Sequence, residues 1–299
     1  MPFPQSGIFA LGTPAHSYLE FDLTSTDRVG EALAAAACLG AVASTMGGVN
    51  VVVGFRPELI TSVDSSLVPD GLTGFDHPVV GDDGFTMPAT QHDLAVWIAG
   101  GSGDVVFDAA TSATRALAAY AVLVEETSGW SYHRDLDLTG FTDGTENPEL
   151  SAAPGLVLVP EGQPGAAGSV LLLQRWPHDG AAWTALSDAE QAQVIGRTKD
   201  TNVELSPRPE SSHVARTDQE TFGDILRRNT AFGNSRDHGT MFVGFAATRA
   251  PLRDMLESMV GTDGNPRDAL TRYSHPETGA YYFVPSLETL TDLAGPDAD

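Results

Sequence analysis

One pattern constrains this chain more than any other, and it is stated twice: each half of the sequence gives strand, helix, strands and helix. SYLEFDL alternates apolar and polar residues, as a half-buried strand does. An Ala-rich helix follows from about Thr26 to Ala43, then VNVVVGFRPEL and DLAVWIAGG as strands. DAATSATRALAAYAVLVEE predicts a second helix and WSYHRDL a closing strand. After a Pro- and Gly-dense stretch the order returns: SVLLLQRW as a strand, then TALSDAEQAQVIGRT as a helix with a Ser/Asp start. TMFVGFAAT and AYYFVPS are strands flanking RAPLRDMLESMVG, an amphipathic helix, and the acidic tail TDLAGPDAD is expected to fray. Antiparallel sheets with helices packed outside satisfy such an order, an α+β class. Two ferredoxin-like halves, residues 1–147 and 148–299, fit it.

The charge balance removes whole classes of function. Acidic residues outnumber basic ones 40 to 16, so a polyanion is repelled and nucleic acid is excluded as a partner. Neutral or cationic small reductants should approach such a surface more readily than anionic ones. No apolar run approaches the ~20 residues that span a bilayer, and the opening lacks the pattern of a secretory signal. The expectation is a cytoplasmic protein with no membrane partner. The lone Cys38, in AAAACLGAVA, reads as a small core residue rather than a disulfide or cluster ligand.

Three segments could carry chemistry. DLTGFTDGTENP sets Asp143 among turn formers at the junction of the halves. Either it is only a turn, or Gly140 and Gly144 let the backbone approach a flat ligand beneath Asp143. SHVARTD offers His213, which by itself is more often structural than a ligand. DILRRNTAFG offers Arg227 and Arg228 at what reads as a helix end, followed by Asn229. Consecutive side chains diverge, so one arginine can point inward while the other meets solvent.

Taken together, GFTDGTENP, IGRTK, SHVARTD, ILRRN with AFG, and TGAYYFVPS fall in an order that resembles the dye-decolourising peroxidase family, in particular its bacterial B-type members. The likeness runs from QSGIF to LETLTDL. It implies a tandem ferredoxin-like fold of the dimeric α+β barrel type, binding one haem b per chain in the C-terminal half. His213 matches the proximal ligand to iron. Asp143, in the GxxDG element with Gly144 and Thr145, matches the distal aspartate; Arg227 matches the distal arginine and Asn229 the asparagine that orders distal water. Arg197, in IGRTK, sits where the family pairs an arginine with a haem propionate. The partner of the histidine's other ring nitrogen is Asp268 or its neighbour Asp263.

The resemblance further implies hydrogen peroxide and a small reducing substrate as reactants and a homo-oligomeric assembly. The ending LAGPDAD lacks the apolar and basic tag that packages some members in encapsulin shells, which puts packaging in doubt. A relay for the peroxide proton suits Asp143, whereas a guanidinium stays charged and can act only electrostatically; Arg227 is expected to matter more than Asp143. Bulky donors would deliver electrons through surface aromatic residues, none of which the sequence singles out. The other histidines show no metal-ligand spacing and read as structural or exposed. The competing reading is a porphyrin-handling protein with incidental peroxidase activity.

Overall fold

The computed structural model describes residues 2–42, 48–134 and 136–295. Within these, the strands are β1 (Ala15–Leu23), β2 (Val49–Phe55), β3 (Val79–Val80), β4 (Thr86–Met87), β5 (Leu94–Gly100), β6 (Ala121–Trp130), β7 (Ser169–Pro177), β8 (Leu226–Arg227), β9 (Thr230–Gly233), β10 (His238–Ala246) and β11 (Ala280–Val284). One antiparallel sheet runs β7-β11-β2-β5-β1-β6-β9-β10-β8, and β7 also pairs with β10. That last pairing closes the sheet into a barrel, with β8 attached to β10. The first half contributes β2-β5-β1-β6 and the second β11-β7-β10-β9.

Period-two alternation explains why these segments make a barrel covered on its outside. Tyr18, Trp97, Leu171, Leu173 and Tyr282 point inward to an aromatic core. Their strand neighbours Leu19, Phe21, Val96, Ile98 and Phe283 point outward into a second core under helices. There the helix Gly103–Leu117 buries Val106, Ala110, Ala113 and Leu117, a spacing that keeps one face inward. The helix Arg249–Val260 buries Leu252, Met255, Leu256 and Met259 against the outside of the second half. Each such Leu or Met contributes about 1.5–3 kcal/mol by leaving water. The class is therefore α+β, with antiparallel strands closing into a barrel and helices around it.

Four expectations need correction. The second helix stops at Leu117, and AVLVEETSGW is not helical but the strand β6, paired along β1. Its alternation and long-range pairing override the helix propensity of the flanking alanines. WSYHRDL does not form a closing strand: β6 ends at Trp130, His133 and Arg134 take positive φ, and only isolated bridges at Tyr132 and Leu136 follow. In VNVVVGFRPEL the strand ends at Phe55, and Pro57 opens a short helix, Pro57–Val63. The tail does not fray from its start: a helix Leu287–Ala294, capped by the Ser286 side chain, runs into it, and its residues 296–299 lie outside the described residues. The predicted end of the first helix at Ala43 lies outside the described residues, and Cys38 is only partly buried.

Candidate active site

Between the outer face of β7 and β10 and the helix Arg249–Val260 lies a cavity with about 830 Å³ of empty space, counting the part open to solvent. Leu172, Phe242, Leu252, Met255, Leu256 and Met259 give it an apolar wall. His213, Asp143, Arg227 and Asn229 line the same cavity. Residues from three separate segments of sequence thus meet in one chamber.

His213 opens a single helical turn, His213–Arg216, whose carbonyl accepts from Thr217 N at 3.0 Å and Thr217 Oγ1 at 2.9 Å. Its Nδ1 lies 2.7 Å from Asp268 Oδ2. Asp268 is fully buried, and its other oxygen accepts from Leu270 N at 2.8 Å, capping the turn Ala269–Arg272. The imidazole is therefore held through Nδ1, and Nε2 remains for chemistry. Burial lowers the His213 pKa, but the charge and hydrogen bond of Asp268 outweigh it and leave it above the ordinary value. Asp263, the other candidate, is exposed on a loop at φ 55°.

The Asp143 loop is a folded turn. Asp137 N donates to Phe141 O and Gly140 N to Asp137 O, both at 3.0 Å, and Asp143 Oδ1 accepts from Gly144 N at 2.7 Å. Gly140 and Gly144 adopt φ of 85° and 67°, which suits glycine. Their bare α-carbons do not form a cradle for a flat ligand. A Cβ would meet Lys199 Cε at 2.8 Å at Gly140 and Asn147 Nδ2 at 2.7 Å at Gly144, so side chains of the protein fill that space. Gly144 and Thr145 do line the mouth that adjoins the main cavity.

ILRRN is not a helix end. Leu226–Arg227 is the short strand β8, and successive side chains leave opposite faces of it. Arg227 enters the cavity. Arg228 does not meet solvent: it is 8% exposed, its Nη1 donates to Gly7 O and Ile8 O at 3.2 and 2.7 Å, and its guanidinium lies 5.1 Å from the Trp97 ring. A cation inside the barrel end needs such carbonyls, since no carboxylate pairs with it among the described residues. Asn229 commits Oδ1 to Val243 N at 3.0 Å, leaving its amide nitrogen for the cavity. Arg197 pairs with Glu146 at 3.3 Å and Glu204 at 3.5 Å while lining the mouth.

Arg134, Arg197, Arg227 and Arg228 all line that mouth. Asp137 and Asp143 line it with them, so charges of both signs meet there. Two residues there escaped the sequence reasoning. Asn147 grips Arg227 from both sides, Nδ2 donating to Arg227 O at 2.9 Å and Arg227 N donating to Asn147 Oδ1 at 2.8 Å. That clamp ties the Asp143 loop to β8. Asp137 lines the cavity beside Asp143; burial, reinforced by the Asp143 charge, pushes its pKa up to about 6, although Thr139 donates to it. The Asp-x-Thr spacing signals a side-chain-capped turn, which was the only hint of either.

Comparison with known proteins decides the family. A family model described as Dyp-type peroxidase, N-terminal, matches residues 5–131, and its C-terminal counterpart matches residues 134–289. The chain belongs to the Dyp-type peroxidases. A dye-decolorizing peroxidase of Mycolicibacterium paratuberculosis is 36% identical over 217 residues, covering 69% of this chain and 61% of that protein. One from Brevibacterium linens is 34% identical over 258 residues, covering 82% and 69%. The match to a Rhodococcus erythropolis relative spans 64% of that protein, so this Dyp-type chain aligns with less than two thirds of two of its relatives' length. Among solved structures, a dye-decolorizing peroxidase from Bacteroides thetaiotaomicron superposes with TM-score 0.89 at 28% identity, covering 98% of this chain and 99% of that one. An arginine-to-leucine variant of DypB from Rhodococcus jostii RHA1, solved in complex with heme, gives TM-score 0.84 at 31% identity, covering 93% and 94%. No helix among the described residues of this family member is long and apolar enough to cross a membrane.

Proposed function

We propose that this protein is a haem peroxidase that holds one haem b per chain and uses hydrogen peroxide to oxidise a small reducing substrate. The shared cavity carries this reading: an imidazole, a carboxylate, a guanidinium and a carboxamide face one apolar chamber. The residues fit haem. Leu252, Met255, Leu256 and Met259 offer an apolar wall to a macrocycle. The buried Nε atoms of Arg197 and Arg227 have no partner among the described residues, a cost that an oxyanion would remove. Family membership and the heme-bound DypB relative support the same cofactor.

His213 Nε2 would ligate iron, with Asp268 fixing the tautomer and raising the donor strength of the ring. Haem, when bound, supplies the redox-active iron that peroxide oxidises. Asp143, by a carboxylate oxygen, takes the proton from one peroxide oxygen and returns it to the other, directly or through a water. Arg227 keeps its charge and offsets the negative charge growing on the departing oxygen; losing such a donor costs ~3–4 kcal/mol, or about 10²–10³ in rate. Asn229 Nδ2 orients water beside them. Arg197 pairs with a propionate, and Gly144 and Thr145 border the cofactor's edge.

We also read each half, 1–147 and 148–299, as a ferredoxin-like unit, a reading that the strand orders β2-β5-β1-β6 and β11-β7-β10-β9 support. Family likeness favours a homo-oligomer. The test is peroxide-dependent oxidation of a phenol by the haem-loaded protein, followed by porphyrin analysis. The expected result is phenol turnover with the porphyrin intact. Porphyrin conversion without phenol turnover would overturn this reading in favour of a porphyrin-handling protein.

A further inference from the structure

The hairpin β3-β4 stands apart from the barrel as a two-stranded sheet of its own. It belongs to the first half of the sequence, yet it grips the segment of the second half that leads to Asp268. Asp82 N donates to Gly261 O at 2.8 Å, and Gly264 N donates to Asp82 Oδ2 at 2.9 Å. Arg267 pairs with Asp83, Nε to Oδ2, at 3.3 Å, and its guanidinium lies 4.7 Å from the centre of the Phe85 ring. At Gly81 a Cβ would meet Val260 O at 2.0 Å, so the hairpin is pressed against the end of the helix Arg249–Val260. We propose that the hairpin is a positioning device for Asp268: by fixing residues 261–267 it holds the Asp268 carboxylate on His213 Nδ1. This rests on His213 being the haem ligand.

The segment needs an outside hold. Gly261, Asp263 and Gly264 take φ of 75°, 55° and 77°, and the left-handed region is unfavourable for a residue with a side chain such as Asp263. Among the described residues, the other hydrogen bonds of the segment run only within it or back to Glu257 and Ser258 at the helix end. Asp82 and Asp83 are therefore its polar ties to a distant part of the chain.

Arg267 immediately precedes Asp268, so its pairing acts one residue from the carboxylate. On the far side, Ala269 N donates to Ser211 O at 2.8 Å, two residues before His213. Asp268 is thus stretched between two anchors, one beside the histidine and one on the hairpin. A hydrogen bond weakens as it lengthens or bends, and the 2.7 Å contact to His213 Nδ1 is what makes the imidazole a stronger donor. Residues of the first half therefore tune a ligand of the second without touching it.

The test compares haem-loaded wild type with Asp82→Ala, Arg267→Ala and Arg267→Lys, and with Asp268→Asn as the reference. Asp82 is exposed and Arg267 lies on the surface side of its loop, so neither change opens the core. Redox titration, the iron–imidazole stretch in resonance Raman spectra and thermal unfolding are read on the same preparations. In Asp82→Ala and Arg267→Ala the reduced-to-oxidised ratio at a fixed potential should rise about threefold, less than the roughly tenfold that losing a ligand's direct partner costs. The stretch should move to lower frequency in both, as in Asp268→Asn, and Arg267→Lys, which keeps a charge for Asp83, should return toward wild type.

A hairpin that is merely structural would lower the unfolding temperature and leave ratio and stretch at their wild-type values. That result, with a shift present in Asp268→Asn, would overturn the proposal alone. No shift in Asp268→Asn would overturn it as well, since the carboxylate would not tune the ligand. A wild-type protein without a Soret band would overturn the haem reading and this proposal with it.

Discussion

His213 Nδ1 and Asp268 Oδ2 stand 2.7 Å apart, with the carboxylate wholly buried and its other oxygen capping the next turn. The two functions of Asp268 can be separated. Asp268→Asn keeps an oxygen for Leu270 N but loses the negative charge that raises the His213 pKa. The expected outcome is a folded variant that binds haem with a reduction potential shifted upward, because a less electron-rich imidazole stabilises oxidised iron less. Spectroelectrochemical titration of wild type and variant checks this; equal potentials would show that the pair does not tune the ligand.

Arg227 and Asp143 line one cavity but differ in what they can do. Stopped-flow mixing with peroxide should show Arg227→Ala slowed about 10²–10³-fold, the effect of removing a preorganised charge. Asp143→Ala should lose less, because water can carry a proton in its place. An unchanged rate in the arginine variant would reverse the ranking.

Asn147 touches neither a cofactor wall of the main cavity nor solvent freely, yet it holds Arg227 by two backbone hydrogen bonds. Asn147→Ala should cost about 1–3 kcal/mol of stability, since it leaves both backbone groups without a partner. It should also slow the peroxide reaction about tenfold by loosening Arg227. Thermal unfolding and stopped-flow rates on the same preparation separate the two effects.

Glu20 is buried inside the barrel, where Tyr282 Oη donates to it at 2.5 Å. Burial pushes its pKa from 4.5 up to about 7, the Tyr282 bond offsetting only part. The folded state therefore holds a proton that the unfolded chain has released, and stability falls as pH rises from 4.5 to 7. The loss is about 3 kcal/mol, fully developed above pH 7. Glu20→Gln should be more stable than wild type at pH 8 and close to it at pH 4.5; denaturant unfolding at both values reads the difference.

Much of this was legible in the sequence because it rests on local pattern. Alternation marked most barrel strands, and the 252, 255, 256, 259 spacing marked the helix over the cavity. The boundary between Leu117 and Ala121 was not legible, because Ala-rich helix and the start of β6 share composition and only pairing with β1 tells them apart. The site divides the same way. His213, Asp143 and Arg227 stand in short recognisable segments. Arg228 and Asn147 take their meaning from partners far along the chain, such as Gly7 or Arg227, which no local pattern records.

The most direct test is an optical titration of wild type and His213→Ala with haem. The account predicts a Soret band saturating at one haem per wild-type chain, with the axial imidazole signature, and its loss or marked displacement in the variant. An identical band and affinity in His213→Ala would contradict it, because iron would then be held without the nitrogen that Asp268 sets in place.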